Sequence, residues 1–313
     1  AAIATLSLSG ATVFGTGIAS AAGPGSTAFR PALADCPPGQ DCRPSYENAI
    51  AEAKMAAALA YSNQQGSRVS NSDLEGLEKW VRALTGEAKR EVHPSSPPDP
   101  HEAPNDIQAR VRSESNLQKY FWAFEQVTPY YCGPATVQSI LRFLGPHTSQ
   151  AANPMGGRDE MTGDPYHDQQ VLARDYWLAT DRNGGTNWGS AYVPDTINTW
   201  RGTRWYVASG TPNVGGTLTK DEALAAIKYD TDRSFPVAEN VMYSPQTYYP
   251  AGFYPGATYM HWDTIYGHYQ DGGRQMVQVG QTYHDPGLPY ERFQNVPWDV
   301  HWSAIGNWFG IVW

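Results

Sequence analysis

The sequence predicts an α+β protein in which a helical segment precedes a larger mixed domain. Residues 46–91 combine strong helix formers with apolar residues at helical spacing, and residues 93–106 contain five prolines, which is typical of an extended linker. From about residue 114 onward, short alternating segments, many glycines and 10 of the 11 tryptophans indicate strands, turns and an aromatic core. A chain of 313 residues is long enough to bury such a core.

The N-terminus has the composition of a targeting segment. The first 29 residues carry no charged side chain, and the small, mildly apolar stretch at the start ends in Ala19-Ser20-Ala21. This pattern predicts the remnant of a secretory signal peptide over residues 1–21, and therefore a secreted, extracellular protein. A low-complexity N-terminus of a cytosolic protein is the alternative.

Residues 22–92 are predicted to be an N-terminal segment that contains a helical hairpin. The first helix covers about residues 46–64, and the second covers about residues 72–91, where apolar side chains recur at helical spacing from Leu74 to Leu84. A Pro-rich linker over residues 93–113 separates this segment from the domain at 114–313. Because such linkers join independently folded pieces, the segment is interpreted as a propeptide or a docking module.

The domain at 114–313 is predicted to contain one clear helix and one clear hairpin. The helix is Cys132–Leu144, with an apolar stripe that ends before Gly145-Pro146. Residues 150–190 are polar and Gly-rich and are predicted to form a long loop with one short helix near Gln169–Trp177. The other predicted elements are a helix at Asp221–Tyr229 and two strands, Thr258–Tyr269 and Arg274–Tyr283, joined by the turn Gln270-Asp271-Gly272-Gly273.

The composition argues against two classes of partner. The net charge is −9, the sequence pI is near 5.3, and no run of Lys and Arg stands out. Nucleic acids and anionic membrane surfaces are bound by clustered positive charge. We therefore expect neither a nucleic-acid partner nor a membrane partner.

The predicted export decides how the cysteines are interpreted, because an exported protein folds in an oxidising compartment. Three cysteines are too few for a disulfide scaffold. Cys36 and Cys42 are close enough in sequence to close a small loop in an oxidising compartment, which leaves Cys132 without a partner. Such a cysteine is either buried or used for its reactivity.

Cys132 opens the predicted helix Cys132–Leu144. The unpaired backbone N–H groups and the dipole at a helix N-terminus favour the thiolate, which is the nucleophile of cysteine hydrolases. Gln126, six residues earlier, is a candidate donor to an oxyanion together with the backbone N–H of Cys132. The alternative is that Cys132 is a small buried residue that packs the start of the helix.

A thiolate nucleophile needs a histidine and a third group that orients the histidine. His261 lies within the first strand of the predicted hairpin and is preferred over His268 and His284, which are close in sequence. Asp285 lies just past the second strand and is the preferred orienting acid. Asp263, two residues after His261 on the same strand face, is the rival.

These residues resemble the papain-like cysteine peptidases. Gln126 before Tyr131-Cys132-Gly133-Pro134-Ala135, a histidine strand ending in Gly267, and then Asp285-Pro286 resemble peptidase family 39 of the cysteine class, the bacteriocin-processing type, here in a stand-alone secreted form. The resemblance covers residues 120–144 and 258–287. It implies a papain-like fold, in which the helix that carries the cysteine packs on an antiparallel sheet that carries the histidine.

The resemblance also implies a role for each residue. Cys132 is the nucleophile, His261 the general base and acid, Asp285 the orienting acid and Gln126 the oxyanion donor. Two features depart from the family pattern. Neither membrane spans nor a nucleotide-binding domain follow, so leader processing coupled to export is not implied. The strand after His261 is also more polar than expected, with Asp263 in it.

We therefore expect a secreted cysteine peptidase that acts as a monomer on a peptide or protein substrate, with no cofactor and no metal ion. Asp164, His167 and Asp168 form a short polar cluster of the kind that is mostly a solvated loop. The Tyr-rich segment, residues 246–259, either lines a substrate groove or packs within a Gly/Pro-rich loop. The alternatives in function are a cell-wall amidase or acyltransferase with the same Cys–His pair, and an inactive papain-like binding module.

Overall fold

The fold combines helices with two antiparallel sheets. A computed structural model describes residues 43–64, 70–87, 121–145, 150–188 and 192–313. The helices are α1 (Arg43–Gln64), α2 (Asn71–Thr85), α3 (Cys132–Leu144), α4 (Pro165–Ala173), α5 (Thr180–Asn183), α6 (Tyr192–Arg201), α7 (Lys220–Thr231) and α8 (Trp298–Gly306). The strands are β1 (Gln150–Ala152), β2 (Arg158–Glu160), β3 (Ala208–Gly210), β4 (Val237–Tyr243), β5 (Tyr259–Asp271), β6 (Arg274–Gly280), β7 (Phe293–Pro297) and β8 (Gly310–Val312). The predicted α+β class is confirmed.

The larger sheet has six strands in the order β3-β8-β4-β5-β6-β7, and every neighbouring pair is antiparallel. The strand β8, close to the C-terminus, lies between β3 and β4. Strands β1 and β2 form a separate small sheet. Strand β4 and the middle of β5, His261–Tyr269, are almost entirely buried, so side chains on them are held rigidly between packed layers.

The predicted hairpin is present as β5 and β6. Asp271 pairs with Arg274 across a two-residue turn, in which Gly272 and Gly273 have φ values of 55° and 85°. Positive φ at both central positions is what a type I′ turn requires, and glycine adopts it without strain. The second strand ends at Gly280, three residues before the predicted end.

Helix α3 has the predicted bounds and occupies the core. Twelve of its thirteen residues are buried, and it packs against β5, α4 and α6. Its end is set by Gly145, whose backbone N–H donates to the Leu141 carbonyl at 3.0 Å. A helix surrounded on most sides is rigid, which fixes the position of its first residue, Cys132.

The region predicted as a long loop with one helix contains β1, β2, α4 and α5 instead. Helix α4 begins about four residues before the predicted helix because Asp164 caps it, accepting from the His167 backbone N–H at 2.9 Å, with Pro165 in the first turn. Asp168 accepts from the backbone N–H groups of Thr162 and Gly163 at 2.7 and 3.1 Å. The polar cluster therefore stabilises a helix start.

The two N-terminal helices are packed against the domain that follows them. The compact unit Glu47–Trp313 includes α1 from Glu47 onward and all of α2. Helix α2 ends at Thr85 rather than near residue 91, because Gly86 adopts the left-handed conformation with φ of 71°. The predicted signal peptide, Cys36, Cys42 and the linker at 93–113 lie outside the described residues.

The helix predicted at Asp221–Tyr229 is present as the slightly longer α7. Thr219 and Glu222 form a reciprocal capping box at its start, which satisfies two backbone N–H groups. None of the helices in the described part of the chain combines the length and the apolar character needed to cross a bilayer.

Candidate active site

Cys132 and His261 are brought together by α3 and β5. Cys132 is the first residue of α3, and its thiol is a hydrogen-bonding neighbour of the His261 side chain. Cys132 is 9% exposed and His261 is 5% exposed, so both residues are largely buried. The pairing that the sequence predicted between these two residues is therefore present in the geometry.

The first turn of α3 is held in place next to His261. Thr186 packs so closely on the backbone of Gly133 that a Cβ atom at this position would overlap the threonine side chain. The carbonyl of Thr186 accepts a hydrogen bond at 2.9 Å from the indole N–H of Trp262, the residue after His261. Glycine after the cysteine thus permits the close approach that couples the helix start to β5.

The acid beside His261 is Asp263. The His261 Nε2 atom lies 3.1 Å from Asp263 Oδ1, and Asp263 is fully buried. The other carboxylate oxygen accepts from the Tyr243 hydroxyl at 2.7 Å. The backbone N–H of Thr282 donates to Oδ1 at 3.3 Å, so the carboxylate is fixed by donors from β4 and from the chain after β6.

The neighbours of His261 Nε2 decide which ring nitrogen carries a proton. Besides Asp263, the Thr282 hydroxyl oxygen lies 3.1 Å from Nε2, and this hydroxyl donates its own proton to the Trp262 carbonyl at 3.0 Å. Both partners of Nε2 therefore act as acceptors, and Nε2 is the donor. In the neutral ring the proton therefore lies on Nε2, and Nδ1 is the unprotonated nitrogen.

The charge state of His261 follows from these neighbours. Burial by itself lowers the pKa of the imidazole, but the charge and hydrogen bond of Asp263, and then the Cys132 side chain, outweigh burial and raise the pKa to about 10. A histidine with so high a pKa is an imidazolium at neutral pH. A buried cation next to a cysteine stabilises the thiolate.

Asp285 does not take the position that the family resemblance implies. Its carboxylate accepts from the Tyr254 backbone N–H at 2.7 Å, the Tyr259 hydroxyl at 2.5 Å and the Tyr283 hydroxyl at 2.9 Å. Burial raises the pKa of Asp285, but these hydrogen bonds outweigh burial and lower it. The prediction is corrected accordingly: the acid that contacts the histidine is Asp263.

The path of the chain after β6 explains the correction. The strand ends at Gly280, and the chain then bends toward the Tyr-rich segment, where the backbone N–H of Asp285 donates to the Gly252 carbonyl at 2.7 Å. Sequence order placed Asp285 past the strand end but carried no information on this bend.

Gln126 is hydrogen-bonded to Thr282, the residue whose hydroxyl contacts His261. Its backbone N–H donates to the Thr282 carbonyl at 2.7 Å, and the Thr282 side chain contacts His261. The side-chain Nε2 of Gln126 donates to the Thr128 carbonyl at 2.8 Å, which uses one of its two protons. The second N–H proton of the amide is not used by that bond.

The other histidines near His261 in sequence have different partners. His268 lies toward the other end of β5, and its Nε2 atom is 3.0 Å from Asp232 Oδ1. His284 Nδ1 lies 3.3 Å from Glu125 Oε1. The described residues contain no cluster of three or more His, Cys, Asp or Glu side chains that could hold a metal ion.

A second buried His–carboxylate pair lies behind the first and was missed by sequence reasoning. Glu239 Oε2 is 2.6 Å from His301 Nε2, and both side chains are fully buried. Glu239 is the cross-strand partner of Asp263, so the two carboxylates lie on the same face of the sheet. Neither β4 nor α8 gave a signal in the sequence that could have placed these residues together.

The raised pKa of His261 predicts a pH dependence of stability. The folded-state pKa lies above the ordinary value of 6.5, so its stabilising contribution is present below about pH 6.5 and is lost as pH rises through about 10. Cys132→Ala removes the contribution of the thiol but keeps Asp263, the larger contribution that raises the pKa of His261. In this background the free energy of unfolding should still fall with pH above 6.5, over a narrower pH range than in the wild-type protein, by up to about 1.4 kcal/mol per pH unit. Urea unfolding at several pH values measures this slope, and adding His261→Gln should flatten it. If the free energy of unfolding depends on pH in the same way with and without His261→Gln, the raised pKa of His261 is contradicted.

Comparison with known proteins returns no relative for this fold and site. No protein-family model, no curated protein sequence and no solved structure matches the chain.

Proposed function

We propose that this protein is a thiol hydrolase with a papain-like arrangement that cleaves peptide or related amide bonds. The observation that carries the proposal is the position of Cys132, at the start of a buried helix and beside a histidine held by the buried carboxylate of Asp263. This is the nucleophile, base and orienting acid that acyl transfer through a thioester requires.

In the first half of the reaction, His261 Nδ1 holds the proton of the Cys132 thiol, which leaves an imidazolium beside a thiolate. The thiolate attacks the carbonyl carbon of the amide, and the carbonyl oxygen becomes an oxyanion. As the C–N bond breaks, the imidazolium passes its proton to the departing amine, and an acyl thioester remains on Cys132.

In the second half, neutral His261 takes a proton from water, and the resulting hydroxide adds to the thioester carbonyl. The C–S bond then breaks, the carboxylic acid leaves, and Cys132 returns as the thiolate beside the imidazolium. Asp263 keeps Nε2 protonated throughout, so that Nδ1 is the nitrogen that exchanges protons.

Two donors are available for the oxyanion. One is the backbone N–H of Cys132, which as the first residue of α3 has no acceptor within the helix. The other is the second proton of the Gln126 side-chain amide, whose first proton holds the Thr128 carbonyl. Two such donors typically supply a large share of transition-state stabilisation in acyl transfer.

The test is the rate of iodoacetamide labelling of Cys132 as a function of pH. The labelling rate of the wild-type protein should reach its plateau at a pH well below about 8.5, the ordinary pKa of a free thiol. In His261→Ala the plateau should disappear, because no imidazolium remains to stabilise the thiolate. Cys132→Ala, which removes the reacting sulfur, defines the background from the other cysteines.

Slow wild-type labelling that rises only above neutral pH, with the same profile in His261→Ala, would refute the proposal and make Cys132 a packing residue. If the plateau is present, peptides incubated with and without a primary amine identify the acceptor. Carboxylic acid products support a hydrolase, whereas amide products formed only with the amine would indicate an acyltransferase.

A further inference from the structure

The Tyr-rich segment, residues 246–259, is placed beside the active site and has no part in the reaction proposed above. It contains no charged residue. Of its tyrosines, Tyr254 is 47% exposed, and Met260, which follows the segment directly, is 67% exposed. Large apolar side chains left exposed next to a reactive group are a common mark of a binding surface.

The segment touches the histidine of the site directly. The ring of Phe253, which is buried, lies 5.7 Å from the His261 ring and 5.2 Å from the Tyr243 ring, both in edge-to-face geometry. The Phe253 ring also lies 5.6 Å from Tyr283. The rings of Tyr249, Tyr259 and Phe253 therefore form a connected series that reaches the imidazole of His261, and the exposed Tyr254 follows Phe253 directly in the chain.

Asp285 fastens this layer to the chain after β6. Its carboxylate accepts from the Tyr254 backbone N–H and from the hydroxyls of Tyr259 and Tyr283, and its own N–H donates to the Gly252 carbonyl. Asp285 thus makes four hydrogen bonds, three of them with residues of the segment.

At Gly252 the segment also lies so close to residues 284–289 that only glycine fits there without strain. Gly252 has a φ of 95°, and a Cβ atom there would lie 3.0 Å from His284 Cβ and 3.2 Å from the Pro289 carbonyl oxygen. A glycine here lets the Asp285 anchor close, at the conformational cost that glycine carries in the unfolded chain.

The exposed tip of the segment is preformed. The Tyr249 hydroxyl donates to the Ala257 carbonyl at 2.6 Å and accepts from the Gly256 N–H at 2.9 Å. The Tyr249 ring also packs edge to face on Tyr259, with centroids 6.5 Å apart. Because these contacts lie within the segment itself, they order its tip, and an ordered tip lowers the entropic cost of binding.

We infer that the Tyr-rich segment is the wall of a substrate subsite for an aromatic or large apolar side chain, and that Asp285 is the positioning residue that holds this wall beside His261. The inference rests on the proposed function and names the substrate class of the same site. Tyrosine rings offer flat apolar area at low entropic cost, and an uncharged wall has no partner for a charged substrate side chain.

The test uses dipeptidyl vinyl sulfones that alkylate Cys132, with the sequences Gly-Phe, Phe-Gly and Gly-Gly. In the wild-type protein, at least one phenylalanine reagent should react about tenfold faster than Gly-Gly, through tighter binding before alkylation. Asp285→Asn and, independently, Tyr254→Ser should reduce this preference to about threefold or less. The pH profile of labelling by iodoacetamide, which makes no use of the wall, should not change in either variant.

Tyr254 is exposed, so its replacement tests the wall even if Asp285→Asn fails to fold. Met155→Ser, at an exposed residue on the β1–β2 turn, is the matched control and should keep the full preference. A wild-type protein that labels rapidly at low pH but shows no preference for phenylalanine, or variants that keep the preference, would overturn this inference alone. A wild-type protein with no low-pH labelling would instead overturn the proposed function.

Discussion

Replacing Asp263 with alanine is expected to slow the iodoacetamide labelling of Cys132 at pH 6 by about 300-fold, because only about one part in 300 of an ordinary thiol of pKa about 8.5 is thiolate at that pH. Asp263 is the largest of the contributions that raise the pKa of His261 against the effect of burial. Without it, the main contribution that opposes burial is lost, so the pKa of His261 falls and the imidazolium beside Cys132 is destabilised. Peptide hydrolysis should fall by about 10²–10⁴-fold, as expected when the orienting acid of a triad is lost.

Asp285→Ala is the matched control, because this residue is the acid that the family resemblance implies. Its carboxylate is bound by three donors of the Tyr-rich segment and its surroundings, so its loss should leave the low-pH labelling plateau in place. The two variants are compared at equal folded fraction, measured by tryptophan fluorescence. A plateau that is lost in Asp285→Ala and kept in Asp263→Ala would reverse the assignment of the orienting acid.

The parts of the site that could be predicted are those with a local signal. Helix α3 shows its apolar stripe and its terminating glycine within thirteen residues, so its bounds and the placement of Cys132 at its start follow from the sequence. The hairpin β5–β6 is marked by its Gly-Gly turn, which places His261 on a strand. Asp263 was available from strand alternation, because residues two apart share a face.

The parts that could not be predicted depend on contacts between distant segments. Tyr243, which holds Asp263, lies on β4, whose neighbours β5 and β8 come later in the chain and leave no local mark. Thr282 lies after β6, where the chain leaves the hairpin, and only the three-dimensional path shows that it faces His261. Polar residues on fully buried central strands also hide the alternation that identifies an amphipathic strand.

The contacts of the N-terminal helices were equally hidden, and they carry the largest expected effect on stability. Lys54 of α1 is fully buried, with Nζ 3.0 Å from Asp230 Oδ2 on α7 and 3.1 Å from the Trp205 carbonyl. The ammonium also lies over the rings of Trp205 and Trp313, 4.4 and 4.5 Å from their centroids. Burial lowers the pKa of Lys54 to about 8 and raises that of Asp230 to about 6, against their mutual attraction.

Lys54→Met is therefore expected to lower the free energy of unfolding by about 3–5 kcal/mol, the usual cost of leaving one charge of a buried pair without its partner. Methionine retains most of the aliphatic volume between the two indoles, so the loss reports the missing charge and not an empty space. Urea unfolding followed by tryptophan fluorescence gives the value.

The double variant Lys54→Met/Asp230→Leu separates charge from packing. Because it removes both ions, it should recover most of the loss, as replacement of buried ion pairs by apolar residues is often neutral or stabilising. If the single variant costs less than about 1 kcal/mol, the pair is not buried in solution and α1 is not part of the core.

The same pair bears on the propeptide interpretation of residues 22–92, because a released propeptide would leave Asp230 buried without its cation. A large cost for Lys54→Met thus favours α1 as a permanent element of the folded domain, so that the N-terminal helices complete the core on which Cys132 and His261 are placed.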